Sequence, residues 1–129
     1  MRQTAPPVDF SPKPASKPAR KVSIDERIAA LDQLAQQRWR AGDRPGAMKA
    51  FRSIVRIGGR RAAVELAYAE LFALARQSGQ NMTGLWSSYL KRFPKGRYAA
   101  EASAGLCRLK QGAAADTCWS AHRNRFPGR

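Results

Sequence analysis

The strongest constraint on this chain is a phrase it contains twice. "LWSSYLKRFPKG" (Leu85 to Gly96) returns as "CWSAHRNRFPGR" (Cys118 to Arg129), an offset of 33 residues. At that offset Gly79 pairs with Gly112, Trp86 with Trp119, Ser87 with Ser120, Arg92 with Arg125, Phe93 with Phe126 and Pro94 with Pro127. A helical hairpin must control these positions. Glycine makes the turn, aromatic side chains fill the seam between the helices, and proline stops the second helix. A fixed period in this range predicts a helical solenoid, in which each unit buries its apolar face against the next. An earlier segment fits the same scheme loosely, with Gly42 as turn and Phe51 as seam aromatic, at longer spacing.

Apolar spacing extends the helical reading over the body of the chain. "SIDE" at Ser23–Glu26 is a capping box, in which each side chain satisfies a backbone donor of the helix start. Ile24, Ile28, Leu31, Leu34, Ala35 and Trp39 then form a stripe that Gly42 ends. Asp43 is positioned to cap a second helix bearing Ala47, Ala50, Phe51, Ile54 and Val55, closed by Gly58 and Gly59. A third carries Val64, Ala67, Tyr68, Leu71, Leu74 and Ala75 and stops at Gly79; a fourth carries Leu85, Trp86, Tyr89, Leu90 and Phe93 up to Pro94. The fifth, from about Tyr98 to Lys110, has Ala102, Leu106 and Leu109 and a run of small residues that lets a neighbour come close. After Gly112 a sixth holds Cys118, Trp119, His122 and Phe126. Nothing alternates with period two, so the expected fold class is all-α, with antiparallel hairpins at about 23–58, 60–94 and 97–127. Phe51, Tyr68, Trp86, Tyr89, Phe93, Trp119, His122 and Phe126 are the expected seam residues.

Residues 1–22 read differently. They contain five of the eight prolines and five basic residues, with almost no core-forming side chains. Such a stretch cannot bury enough surface to offset ordering, so a disordered Pro/Lys-rich tether is expected before a domain at 23–129. It has no apolar run of a signal peptide, and no stretch of the chain approaches the ~20 apolar residues of a transmembrane helix. A protein of this kind working outside the cytoplasm would need its export signal upstream of Met1.

The repeat also resembles a known family. "YLKRFPKGRYAAEA" (Tyr89 to Ala102) is similar to the "Y-x-x-x-F-P-x-G/S-x-Y-A-x-x-A" phrase of bacterial cell-envelope tetratricopeptide repeats. These occur in outer-membrane assembly lipoproteins, Tol–Pal accessory proteins and FecR-like sensor proteins. The resemblance covers residues 23–129. It implies three hairpins stacked as a short right-handed solenoid, a non-catalytic scaffold role in the periplasm or cell envelope, and another protein as partner. Such arrays normally continue into a capping helix, which the ending "RFPGR" lacks; an uncapped last hairpin is expected to bind a partner or a second copy.

Cys107 and Cys118 lie equidistant from the Gly112 turn, where facing positions of two helices suit a disulfide. An even count with this symmetry also suits the oxidising compartment that the resemblance implies. Two buried free thiols are the alternative. Cys107, Cys118 and His122 could together offer three metal ligands, but zinc wants a fourth and none has matching spacing, so no metal or other cofactor is expected. His122 instead takes the slot of Tyr89 in the preceding unit.

Catalysis has few players here. The nine acids are scattered, one histidine is present, and no nucleophile elbow, phosphate loop or carboxylate pair appears. The expectation is not an enzyme. Net charge is the remaining clue: 24 Lys plus Arg against 9 Asp plus Glu gives +15. Arg44, Lys49, Arg52, Arg56, Arg60 and Arg61 form a strip on and after the second helix, in which Lys49, Arg52 and Arg56 share a face opposite Phe51, Ile54 and Val55. It reads either as a solvated polar face or as a docking strip for an acidic protein surface, anionic lipid or phosphates. Two functions follow: groove binding of another envelope protein with arginines choosing an acidic partner, or a cytoplasmic, basic nucleic-acid-associated protein held by phosphate contacts.

Overall fold

The computed structural model describes residues 21–128, and among them every regular element is a helix. Six follow in order: α1 (Ile24–Arg40), α2 (Arg44–Ile57), α3 (Ala62–Gln77), α4 (Thr83–Arg92), α5 (Ala99–Arg108) and α6 (Gly112–Arg125). Apart from Lys21 and Val22, the expected tether lies outside the described residues.

Local chemistry sets the helix starts. Ser23 Oγ accepts from the Glu26 amide at 3.1 Å while Glu26 Oε1 accepts from the Ser23 amide at 3.0 Å, closing the capping box. Asp43 Oδ1 accepts from Gly46 N at 2.9 Å at the start of α2. That backbone donor, then Arg38, holds the Asp43 carboxyl below its usual range. The two halves of the repeated phrase end alike. Phe93 follows α4 at φ −128°, ψ 65° and Phe126 follows α6 at φ −129°, ψ 65°, donating to Tyr89 O and His122 O. Gly79 (φ 66°) and Gly112 (φ 60°) both occupy the left-handed region that their turns demand. The units differ between these points. α6 begins at its glycine, whereas residues 80–82 intervene before α4, so α6 has 14 residues to 10.

Each helix packs against the next in the chain. The core runs from Ile28, Ala47, Met48, Phe51 and Ile54 through Val64, Tyr68, Leu71 and Phe72 to Tyr89 and Ala102. Large rings fill the α3/α4 seam, with Tyr68–Tyr89 centroids 5.3 Å apart and Tyr89–Phe93 5.4 Å. By contrast α4 lies close to α5, because the Trp86 ring rests on Gly105, where an added Cβ would come within 2.6 Å of it. Burying each such side chain stabilises the fold by about 1.5–3 kcal/mol.

Polar links join alternate helices. Asp25–Arg61 (2.8 Å) and Gln36–Glu70 (3.3 Å) tie α1 to α3 and its cap, and Arg76–Glu101 (3.2 Å) ties α3 to α5. On the other side Arg92 Nη1 donates to Val55 O near the end of α2, and Arg125 Nη2 donates to Pro94 O just beyond α4. The arginine of the repeated phrase is thus a staple to the preceding even-numbered helix. Two stripe assignments fail. Leu34 is 37% exposed because it lies well off the Ile28–Leu31–Ala35 arc, and Leu109 is 56% exposed because α5 stops one residue before it.

Candidate functional site

Two surfaces stand out, on different sides of α2. The first is a groove of about 590 Å³ between α1 and α3. Its floor is Phe51 and Ile54 from α2; its walls are Ile28 and Ala29 from α1 and Ala63, Leu66, Ala67 and Ala69 from α3, with Tyr98 at one side. The groove exists because alanines occupy much of the α3 wall, leaving volume that larger side chains would fill. Leu66 is 54% exposed. Three carboxylates, Asp25, Asp32 and Glu70, complete the lining, and among the described residues no cation does. Asp25 is held by Arg61 and Glu70 by Gln36, while Asp32 has no hydrogen-bond or ion-pair partner among the described residues.

The second surface is the basic strip. Arg44, Lys49, Arg52, Arg56, Arg60 and Arg61 are all exposed, and none lines the groove. Arg61 is spent on Asp25 and Gly58 O, and Arg56 donates to Ser53 Oγ. The side chains of Arg44, Lys49, Arg52 and Arg60 make no hydrogen bond or ion pair among the described residues. Arg60 also lines a shallow cleft with Ser87, Ser88, Lys91 and Arg92. Arg44, Lys49, Arg52, Arg56 and Arg60 thus lie apart from the groove, which the sequence reading had joined to them in one binding act, and Arg61 alone touches its edge through Asp25.

The seam residues serve packing. Phe51, Tyr68 and Tyr89 are buried, with Tyr68 OH hydrogen-bonded to Ser88 Oγ. Tyr89 OH donates to Glu65 Oε2 at 2.6 Å and accepts from Tyr98 N at 2.8 Å, and the same carboxylate oxygen accepts from Arg97 N at 2.6 Å. This node neutralises donors at the start of α5, and Gly96 leaves room for it: an added Cβ would sit 2.3 Å from Tyr89 OH. Burial first, then the hydrogen bond to Glu65, raises the Tyr89 phenol well above its ordinary value. The Trp86 indole N–H is buried without an acceptor among the described residues.

In the last unit, His122 is buried in Tyr89's slot, with Nδ1 2.9 Å from Ser103 Oγ and rings of Trp119 and Phe126 on either side. Cys107 and Cys118 are joined by a disulfide with their Cα atoms 5.4 Å apart. Both sulfurs being bonded, the Cys107–Cys118–His122 set has no thiolate for a metal. No described helix is long and apolar enough to cross a membrane.

Sequence reasoning missed the groove lining apart from Phe51. The available signal was α3 itself, "AAVELAYAELFALARQ", which is apolar on more than one face, with Leu66 out of phase with the Val64–Ala67–Leu71 stripe. Comparison of the chain with protein families, with curated proteins and with solved structures gives no match.

Proposed function

We propose that the chain is a non-catalytic interaction module of the bacterial cell envelope, a short right-handed tetratricopeptide-like stack of three hairpins that receives a protein segment in its α1/α3 groove. Support for the stack comes from the two sets of alternate links. Carboxylates and their donors join α1, α3 and α5, and arginines join α2, α4 and α6. Nearest-neighbour packing of this kind is what repeat arrays use. The Cys107–Cys118 disulfide supports an oxidising compartment.

One observation carries the binding role: an apolar groove lined by three carboxylates, with Leu66 left 54% exposed on its wall. Apolar concavities with a few placed polar groups are where partners seat their anchors. The lining favours a partner segment that is apolar with adjacent cations. A photo-cross-linking residue at Leu66, in the native host, is expected to label a discrete protein. The same probe at Arg123 on α6 is expected not to. Equal labelling from both positions, or none from Leu66, would sink the reading.

A second reading rests on Arg44, Lys49, Arg52 and Arg60, four exposed cations without carboxylate partners among the described residues. They suit phosphates, as in a basic nucleic-acid-associated protein. Such binding should fall steeply with salt, by about one power of salt concentration per phosphate contact. Retention of an oligonucleotide at 50 mM but not 300 mM salt would favour it.

A further inference from the structure

We infer that the groove is filled in cis by the chain's own residues 1–20, which compete there with any external partner. This rests on the groove being a docking site, as proposed above. Four observations converge on this occupant.

The first is where the segment joins the fold. Residues 1–20 lie outside the described residues, and the described chain enters through Lys21 and Val22 to the Ser23 cap. Asp25, two residues further, already lines the groove. The second is reach. From Asp25 to Asp32 the groove follows α1 for only about 10 Å, at 1.5 Å per residue. The eight residue steps from Lys13 to Lys21 can span about 26 Å. A tether this short holds its segment at an effective concentration of order millimolar, so weak contacts suffice.

The third is charge. Residues 1–20 carry Arg2, Lys13, Lys17 and Arg20 against Asp9 alone. The groove offers Asp32, which lacks any partner among the described residues, and Glu70, while Asp25 is already paired with Arg61; no described cation lines it. The fourth is apolar fit. Val8 and Phe10 are the large apolar residues of residues 2–20, set among five prolines. Prolines restrict the free chain and so reduce the entropy lost on docking. Val8 and Phe10 would pack on Ile28, Phe51 and Leu66, while Lys13 and Lys17 would meet Asp32 and Glu70.

The test uses the full chain with its disulfide intact. Backbone amide spectra of the natural chain and of a V8S/F10S variant would be compared. Both substitutions precede the six described helices, and the unshifted amides of residues 113–125 report that the fold is kept. Amides of residues 28–32 and 63–70 are expected to shift, and those of residues 113–125 to stay. Carbodiimide cross-links from Lys13 or Lys17 to Asp32 or Glu70 are expected within single chains, and to fall at least threefold, on the order of a lost weak anchor, in the variant. Unchanged groove amides would overturn the inference. So would cross-links that join isotopically light and heavy copies, since the segment would then dock on another molecule. The Leu66 photo-cross-link, repeated in V8S/F10S, keeps the two claims apart. With cis docking its partner yield rises; groove amides that do not move while Leu66 still labels a partner would sink the inference and leave the module standing.

Discussion

α4 and α6 carry the same phrase and end in the same backbone geometry, yet they are held in place by different means. α4 is held by packing. Tyr89 is fully buried among Tyr68, Phe72, Phe93 and Tyr98, and Trp86 lies on Gly105 of the following helix. α6 buries little beyond His122, and its Trp119 is only half-buried, touching the histidine at the ring edge. A disulfide to α5 supplies much of what packing does not. A repeated sequence phrase therefore specifies a helix end and its turn, while the stability of each copy depends on which neighbours it meets.

The largest test of this contrast is the tryptophan pair. Trp86→Ala should cost about 3–5 kcal/mol, the usual loss for a large buried aromatic. Trp119→Ala should cost less than about 1.5 kcal/mol, since far less apolar area is lost. Denaturant titration with the disulfide intact measures both, and equal losses would mean that α6 is packed as α4 is. Next comes the covalent link. Removing it in C107A/C118A should cost about 2–3 kcal/mol for a loop of this length. Amide exchange should then quicken in α6 first, while α1 to α3 keep their protection. Uniform loss across all six helices would show that the disulfide supports the whole fold rather than its last hairpin. A smaller effect is expected at the arginine staples. Arg92→Met leaves the part-buried Val55 carbonyl without its donor and should cost about 1–2 kcal/mol. Arg125→Met frees an exposed link to Pro94 O and should cost about 0.5 kcal/mol.

How much of this could be read beforehand follows from what each feature depends on. The Ser23–Glu26 box, the Asp43 cap and the repeat glycines act within a few residues, so residue identity alone announces them. The Cys107–Cys118 pairing was legible because symmetry about one turn fixes facing positions; the choice between bond and free thiols was not. The staples were hidden because Arg92 and Arg125 bond to backbone carbonyls, which every residue has. The groove was hidden for another reason. It is volume left by alanines on one helix facing another, and absence of bulk has no periodic signature. The arginine strip was found by composition, which could not say that the groove carries the opposite charge.

A last, pH-dependent effect contrasts the two units at a single slot, Tyr89 against His122. Tyr89 is neutral in folded and unfolded chains up to about pH 10, the ordinary value of a phenol. Above that, the unfolded chain releases the proton while the folded chain, with the phenol buried and donating to Glu65, retains it. The raised folded pKa therefore contributes stability that is complete below pH 10 and lost as pH rises further. At pH 10.5 the loss from this one group is about 0.8 kcal/mol, from one proton retained half a pH unit above the unfolded value. Tyr89→Phe should be less stable near neutrality, because Tyr98 N loses its acceptor and Glu65 loses a donor. It should also show a flatter alkaline fall by that amount. Stability curves from pH 8 to 10.5 for the natural chain, Tyr89→Phe and His122→Phe measure it. His122→Phe should keep the natural alkaline slope. Parallel slopes in all three would mean that burial and the Glu65 hydrogen bond do not hold the phenol's proton.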